Sequence, residues 1–191
     1  MTCLFNPLFS ALLRYLDLNE NEDILWSAII TTECCISLLP DLVDRRRLYR
    51  MGTHNNFSVR SSAASICMHF ANTFPDRAPV DLLIKLSVAN EDWYVQAPAN
   101  AALKALAQST PGVLKIYYER LENENADERA LAAYSIHSIA SVEPELLDAG
   151  ALKSALKRLS RKIDREAITY LETAIPKVEK TKRKRFYRYG L

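Results

Sequence analysis

Residues 59–70 read Val59-Arg60-Ser-Ser-Ala63-Ala64-Ser-Ile-Cys67-Met-His-Phe70, and residues 128–139 read Glu128-Arg129-Ala-Leu-Ala132-Ala133-Tyr-Ser-Ile136-His-Ser-Ile139. The two share Arg-x-x-Ala-Ala and apolar residues at +8 and +11. Offsets of 0, +4, +8 and +11 fall on one face of an α-helix. The same spacing returns in Val95-Gln96-x-x-Ala99-x-x-x-Leu103-x-x-Leu106 and in Ile163-x-x-x-Ala167-Ile168-x-x-Leu171-x-x-Ala174. The four starts lie 36, 33 and 35 residues apart, the period of a stacked repeat. Alanine at +4 keeps the apolar face thin, so a neighbouring helix approaches closely.

Proline confirms the register. Pro75, Pro111 and Pro144 each stand sixteen residues after a pattern start, and Pro40 precedes Pro75 by 35. Proline ends one helix and is tolerated at the first turn of the next, where its missing N–H has no helical partner. Pro176 arrives early, at +13, so the last unit departs from the rule. Second apolar helices are expected over Pro75–Val88, Pro111–Leu121 and Pro144–Leu159. Asn90-Glu91-Asp92 and Asn123-Glu124-Asn125-Ala126-Asp127 supply N-cap side chains and carboxylates before the patterned helices. Asn21-Glu22-Asp23 does the same before the apolar run Ile24–Leu39, with a helix over Pro7–Leu18 ahead of it. Four to five helix pairs follow.

Composition agrees. The 191 residues are 49% hydrophobic with a net charge of only +2, which excludes a disordered chain. Four glycines are too few for the tight turns of a sandwich or barrel, or for a glycine-built phosphate loop. The charge is uneven. Residues 177–191 hold seven Lys or Arg against Glu179, a net +6, which leaves −4 on residues 1–176. Cys3, Cys34, Cys35 and Cys67 lack C-x-x-C spacing and read as buried reduced thiols. Neither a signal peptide nor a membrane span is legible, and a cytoplasmic location is expected.

Helix pairs of this period, with Val-Arg-x-x-Ala-Ala opening the second helix, resemble the HEAT repeats of the armadillo-like superfamily. The HEAT-like group that includes the phycobilisome-lyase repeats is the nearest flavour. The resemblance covers about residues 20–176 and is carried best by Phe57–Phe70 and Ala126–Ile139. Gln96 stands where the pattern has Arg, Glu128 where it has Val, and Asp164 at the last Arg position. Pro98, three residues into its pattern, is placed to kink or delay its helix. The implied fold is an all-α, right-handed solenoid over residues 1–176 with a basic, aromatic-containing tail over 177–191.

Chemistry is sparse. His54, His69 and His137 stand apart, with no spacing for a metal, and no nucleophile, phosphate-loop or dinucleotide motif occurs. No catalytic residue, cofactor or metal is expected. Some solenoids of this kind are DNA glycosylases, which need aromatics and a carboxylate in a cleft. Trp26, Trp93, Tyr94, Tyr134 and Asp92 are available for that, although aromatics at helical spacing usually pack.

Solenoids bind partners on the concave face, here the positions +2, +6, +9 and +13 of each pattern. The row expected to meet a peptide or protein is Ser61, Ser65, Met68, Lys104, Gln108, Tyr134, His137 and Arg165. It is too nearly neutral for a nucleic-acid groove. Nucleic acid remains the alternative through the tail cations Lys180, Lys182, Arg183, Lys184, Arg185 and Arg188, interleaved with Phe186, Tyr187 and Tyr189. The cluster Asp44-Arg45-Arg46-Arg47-Leu48-Tyr49-Arg50 reads as a solvated convex face. Leu4, Phe5, Leu8, Phe9, Leu12 and Leu13 would seal a dimer, or mark a piece of a larger protein such as a repeat-bearing immune NTPase.

Overall fold

The computed structural model describes residues 45–189, without the side chains of 47, 111 and 183–189. The readings of the N-terminal helices, of Pro40, of Trp26 and of Cys3, Cys34 and Cys35 lie outside the described residues. Those described form eight α-helices and no strand: α1 Arg45–Gly52, α2 Phe57–Thr73, α3 Val80–Leu86, α4 Trp93–Leu106, α5 Pro111–Arg120, α6 Ala126–Val142, α7 Ala149–Arg158 and α8 Arg165–Tyr189. None of them is long and apolar enough to cross a membrane. The chain divides into two compact units, one ending at Ala105 and one beginning at Leu106. Within the first, α1 packs on α2, and α3 forms a hairpin with α4. Within the second, α5 pairs with α6 and α7 with α8, and α6 lies against α8. Both units are therefore built in the manner of an α-solenoid, helix pair against helix pair.

The caps explain where the patterned helices start. Asn56 Oδ1 accepts the Ser58 N–H at 2.8 Å and Asn125 Oδ1 accepts the Asp127 N–H at 2.8 Å. Asp92 Oδ1 does the same for Tyr94 at 2.9 Å. The ends of α2 and α6 are also alike. Phe74 (φ −138°, ψ 65°) and Glu143 (φ −137°, ψ 62°) each return their N–H to a helix carbonyl, Phe70 and Ile139 respectively, at 2.7 Å. A proline follows both, and it disfavours helical geometry in the residue before it. Pro75 and Pro144 then open short 3-10 turns, Pro75–Arg77 and Pro144–Leu146, rather than the continuous helices expected from the sequence. The second helices begin later, at Val80 and Ala149. Only Pro111 starts its α-helix directly.

The apolar stripe is the core. Val59, Ala63, Cys67 and Phe70 of α2, Val95, Ala99, Leu103 and Leu106 of α4, and Ala132, Ile136 and Ile139 of α6 are all buried, as are Ala167, Leu171 and Ala174 of α8. Burial pushes the Cys67 thiol far above its ordinary range, so it stays protonated. Gly52, buried at the end of α1, marks another close approach, since a Cβ there would come within 2.6 Å of Leu82. The fourth pattern needs correction at its first residue. Ile163 precedes α8 and is 64% exposed, because the chain turns at Ser160–Asp164 and the helix opens only at Arg165. The stripe instead runs on to Val178, which is fully buried. Pro176 lies inside α8 on its exposed side, and the helix continues through it to Tyr189.

One side chain per unit ties successive patterned helices together. Arg60 Nη1 donates to the carbonyls of His54 (2.7 Å) and Asn55 (2.8 Å), while its Nε and Nη2 meet both oxygens of Glu91 at 2.9 and 2.7 Å. Arg129 repeats this on α6. Its Nη1 donates to the Asn123 and Glu124 carbonyls at 2.6 and 2.7 Å, and its Nε and Nη2 to Asp164 Oδ1. The acids are fixed in turn, Glu91 by the Asp92 N–H and Asp164 by the Ser160 N–H. Burial works to raise the Glu91 carboxyl, but the Arg60 hydrogen bonds, the Asp92 N–H and the Arg60 charge prevail and hold it below the ordinary glutamate value.

Arg129 and Asp164 retain only 13% and 4% side-chain exposure, against 67% and 61% for Arg45 and Asp81. Arg129→Ala is expected to lower the unfolding free energy by about 3 kcal/mol or more, because it strands a buried carboxylate. Arg129→Lys should recover little of that, since an ammonium lacks the planar fork. Arg45→Ala should cost less than about 1 kcal/mol. Urea denaturation of the three variants checks this, and equal midpoints for Arg129→Ala and Arg45→Ala would contradict it.

Candidate functional site

In the first unit the partly exposed side of α2 carries Ser61, Ser65 and Met68, three of the residues expected to meet a partner. Beside it, α4 carries Ala97, Ala101 and Lys104, also partly exposed. Ser61, Ser65, Ala97 and Ala101 form a low floor of small side chains. One turn toward the helix N-termini stand Phe57 (46% exposed), Trp93 (65%) and Tyr94 (69%). These three were absent from the row read off the sequence, although they lie three or four positions before Ser61 and Ala97 and so on the same helical faces. Trp93 and Tyr94 are not packing residues, contrary to the expectation for aromatics at helical spacing.

A proline positions this floor. Pro98 neither delays nor ends α4, which starts at Trp93. It does lack the N–H that the Tyr94 carbonyl, four residues back, would ordinarily accept. The Ser61 hydroxyl of α2 donates to that carbonyl instead, at 2.8 Å. Gln96, standing in for arginine, keeps part of the arginine's work. Its Nε2 donates to the Val88 carbonyl of the preceding segment at 3.0 Å.

In the second unit the exposed side of the α6–α8 seam is aromatic and hydrogen-bonded. Tyr134 meets the edge of Tyr170, ring centroids 5.4 Å apart, and His137 lies 5.9 Å from the same ring. Thr173 Oγ1 is 2.8 Å from His137 Nδ1, and Lys177 Nζ donates to Ser141 Oγ at 2.8 Å. Burial and the Lys177 charge lower the His137 pKa, outweighing a backbone contact with Tyr170. The ring is therefore neutral at neutral pH. Tyr134 is exposed and His137 partly so. Their partners on α8 are Tyr170, Thr173 and Lys177, each one position beyond the row extrapolated from Ile163, and the late start of α8 hid that shift.

The remaining candidates scatter. Gln108 lies in the turn after α4, exposed, and Arg165 is the first residue of α8. Lys180 is exposed, and Lys182 Nζ lies 3.6 Å from Asp148 Oδ1. The side chains of Arg183, Lys184, Arg185 and Arg188 lie outside the described residues. In the Asp44–Arg50 cluster, Arg45 pairs with Asp81 at 3.2 Å and stacks over Tyr49. Comparison with protein-family models and with curated proteins gives no match.

Two outcomes follow from this geometry. Ser61→Ala should cost about 1 kcal/mol, the net value of a hydrogen bond. In a Pro98→Ala background, where the restored N–H serves the Tyr94 carbonyl, the same change should cost clearly less, and an additive double-mutant cycle would refute the link. The second outcome concerns acid. Folding lowers the His137 pKa, so the unfolded chain takes up that proton more readily and stability falls as pH drops below about 6.5. Glu91, also lowered, adds its own loss only below about pH 4.5. An NMR titration of the His137 ring checks the first window, and His137→Gln should remove its contribution.

Proposed function

We propose that this chain is a HEAT-like interaction module without catalytic residues, taking a peptide or protein partner along the exposed side of its patterned helices. The observation that carries the reading is the aromatic exposure beside the small-residue floor: Trp93 at 65%, Tyr94 at 69% and Phe57 at 46%, with Tyr134 at 42% in the second unit. Trp and Tyr dominate the energetics of protein interfaces because they supply large contact area at low entropic cost. Ser61, Ser65, Ala97 and Ala101 let a partner backbone approach between them. The repeat period and the Arg-x-x-Ala-Ala signature support the HEAT-like assignment. A glycosylase role is weaker, because the Asp92 carboxylate already caps α4 through the Tyr94 N–H.

The test begins with affinity purification of a partner by the tagged chain, followed by titration of the purified pair. Trp93→Ala/Tyr94→Ala is expected to weaken it at least about tenfold, and Lys104→Glu to weaken it less. Unchanged affinity in the aromatic variant would overturn the reading. A salt-sensitive nucleic-acid mobility shift, lost when residues 183–191 are removed, would replace it with the tail-led alternative. Truncation at 176 is unsuitable because it deletes the buried Val178.

A further inference from the structure

The turn between α7 and α8 borders a cavity of about 400 Å³, lined among others by Leu121, Arg129, Arg158, Leu159, Ile163 and Asp164. Ile163 stands at its edge, 64% exposed. It is held there by a closed turn. The N–H groups of Ile163 and Asp164 donate to the Ser160 carbonyl at 3.1 and 2.7 Å, and Asp164 Oδ2 accepts the Ser160 N–H at 2.8 Å. Asp164 is itself gripped by Arg129. The apolar side chain is thus presented by a rigid element, which lowers the ordering cost of any contact it makes.

Cations surround it in the chain. Lys157, Arg161, Lys162 and Arg165 are all exposed, and no carboxylate pairs with any of them among the described residues. Arg158 at the cavity edge pairs with Glu122, and Asp164 is taken by Arg129. Four unpaired cations within nine residues, centred near an exposed isoleucine and an open cavity, form a surface whose complement is both acidic and apolar. A nucleic-acid backbone would meet the cations but leave Ile163 and the cavity unfilled. A bilayer would gain a single apolar side chain, too little for stable insertion.

We infer that the α7–α8 turn is a second docking site, which takes an acidic peptide segment carrying a bulky apolar side chain. The apolar group sits against Ile163 and Leu159 in the cavity, and the flanking Asp or Glu residues meet Lys157, Arg161, Lys162 and Arg165. This site is distinct from the aromatic row of the patterned helices.

Fluorescence anisotropy of the full chain tests it, with a fluorescein-labelled Asp/Glu peptide containing a Leu-x-x-Phe pair as probe. Ile163→Ser and Arg161→Glu/Lys162→Glu are each expected to weaken binding at least about tenfold, while Lys85→Glu, in the other unit, leaves it unchanged. Added salt should weaken binding, since the cations are exposed. Trp93→Ala/Tyr94→Ala should bind the probe normally, which separates this site from the one proposed above. Should the double reversal perturb the circular-dichroism spectrum, Arg161→Gln/Lys162→Gln takes its place with a smaller loss in the same direction. Equal binding of a peptide with Ser in place of Leu and Phe, or wild-type affinity in Ile163→Ser, overturns the inference. So does displacement of the probe by matched polyuridylate or by phosphatidylserine vesicles in preference to unlabelled peptide, which would identify nucleic acid or membrane as the occupant.

Discussion

The architecture depends on what one guanidinium does twice. A helix pair with a thin alanine-rich face buries its apolar stripe against a neighbour, but apolar contact is non-directional and fixes no register. Arg60 and Arg129 supply the direction. Each spends its fork on two carbonyls of the segment that leads into its own helix and on an acid that leads into the next patterned helix of its unit. A partly buried ion pair adds little net stability over apolar packing of the same volume, because desolvation offsets attraction. Its contribution here is geometric. The planar donors accept one arrangement of loop, helix and neighbour, and other stackings of the same stripe leave a charge uncompensated.

Half of that device was legible in the sequence. The arginine after the first pattern residue stands out in Phe57–Phe70 and Ala126–Ile139, and the +4, +8 and +11 positions of the stripe are buried in all four patterns. Its partners were not legible. Glu91 reads as one more acid in a cap loop, and Asp164 as a departure at an arginine position, because a pairing across more than thirty residues leaves no local signal. The same limit explains Ile163. Its spacing matches the stripe, yet the demand that Asp164 reach Arg129 closes the chain into a turn and pushes the isoleucine to the surface. Tertiary pairing overrode periodicity by one residue, and the row extrapolated along α8 slipped with it.

Departures from the repeat are also what shape its surface. Pro98 would be a defect in an isolated helix, but the carbonyl it orphans draws in the Ser61 hydroxyl and fastens α2 to α4 on the exposed side. That bond is made to the Tyr94 backbone itself, so Trp93 and Tyr94, the two most exposed aromatics among the described residues, rise from a locally fixed backbone. Aromatic anchors on a fixed platform lose less entropy on binding than the same side chains on a loop. In the second unit the seam between α6 and α8 is secured differently, by Thr173 on His137 and Lys177 on Ser141, with the imidazole kept neutral.

The last arginine position holds an acid, and this changes what the end of the series does. In the first three patterns the residue after the start is a donor, Arg60, Gln96 or Arg129, reaching back to a carbonyl of the preceding segment. Asp164 only accepts. It holds the Arg129 fork and the N–H of Ser160 together, and the turn carrying Arg161, Lys162 and Ile163 is exposed. An acid at the position where the other patterns have a donor thereby leaves cations and an apolar group on a rigid edge. The interaction that sets the register of the interior also determines which side chains are left outside it.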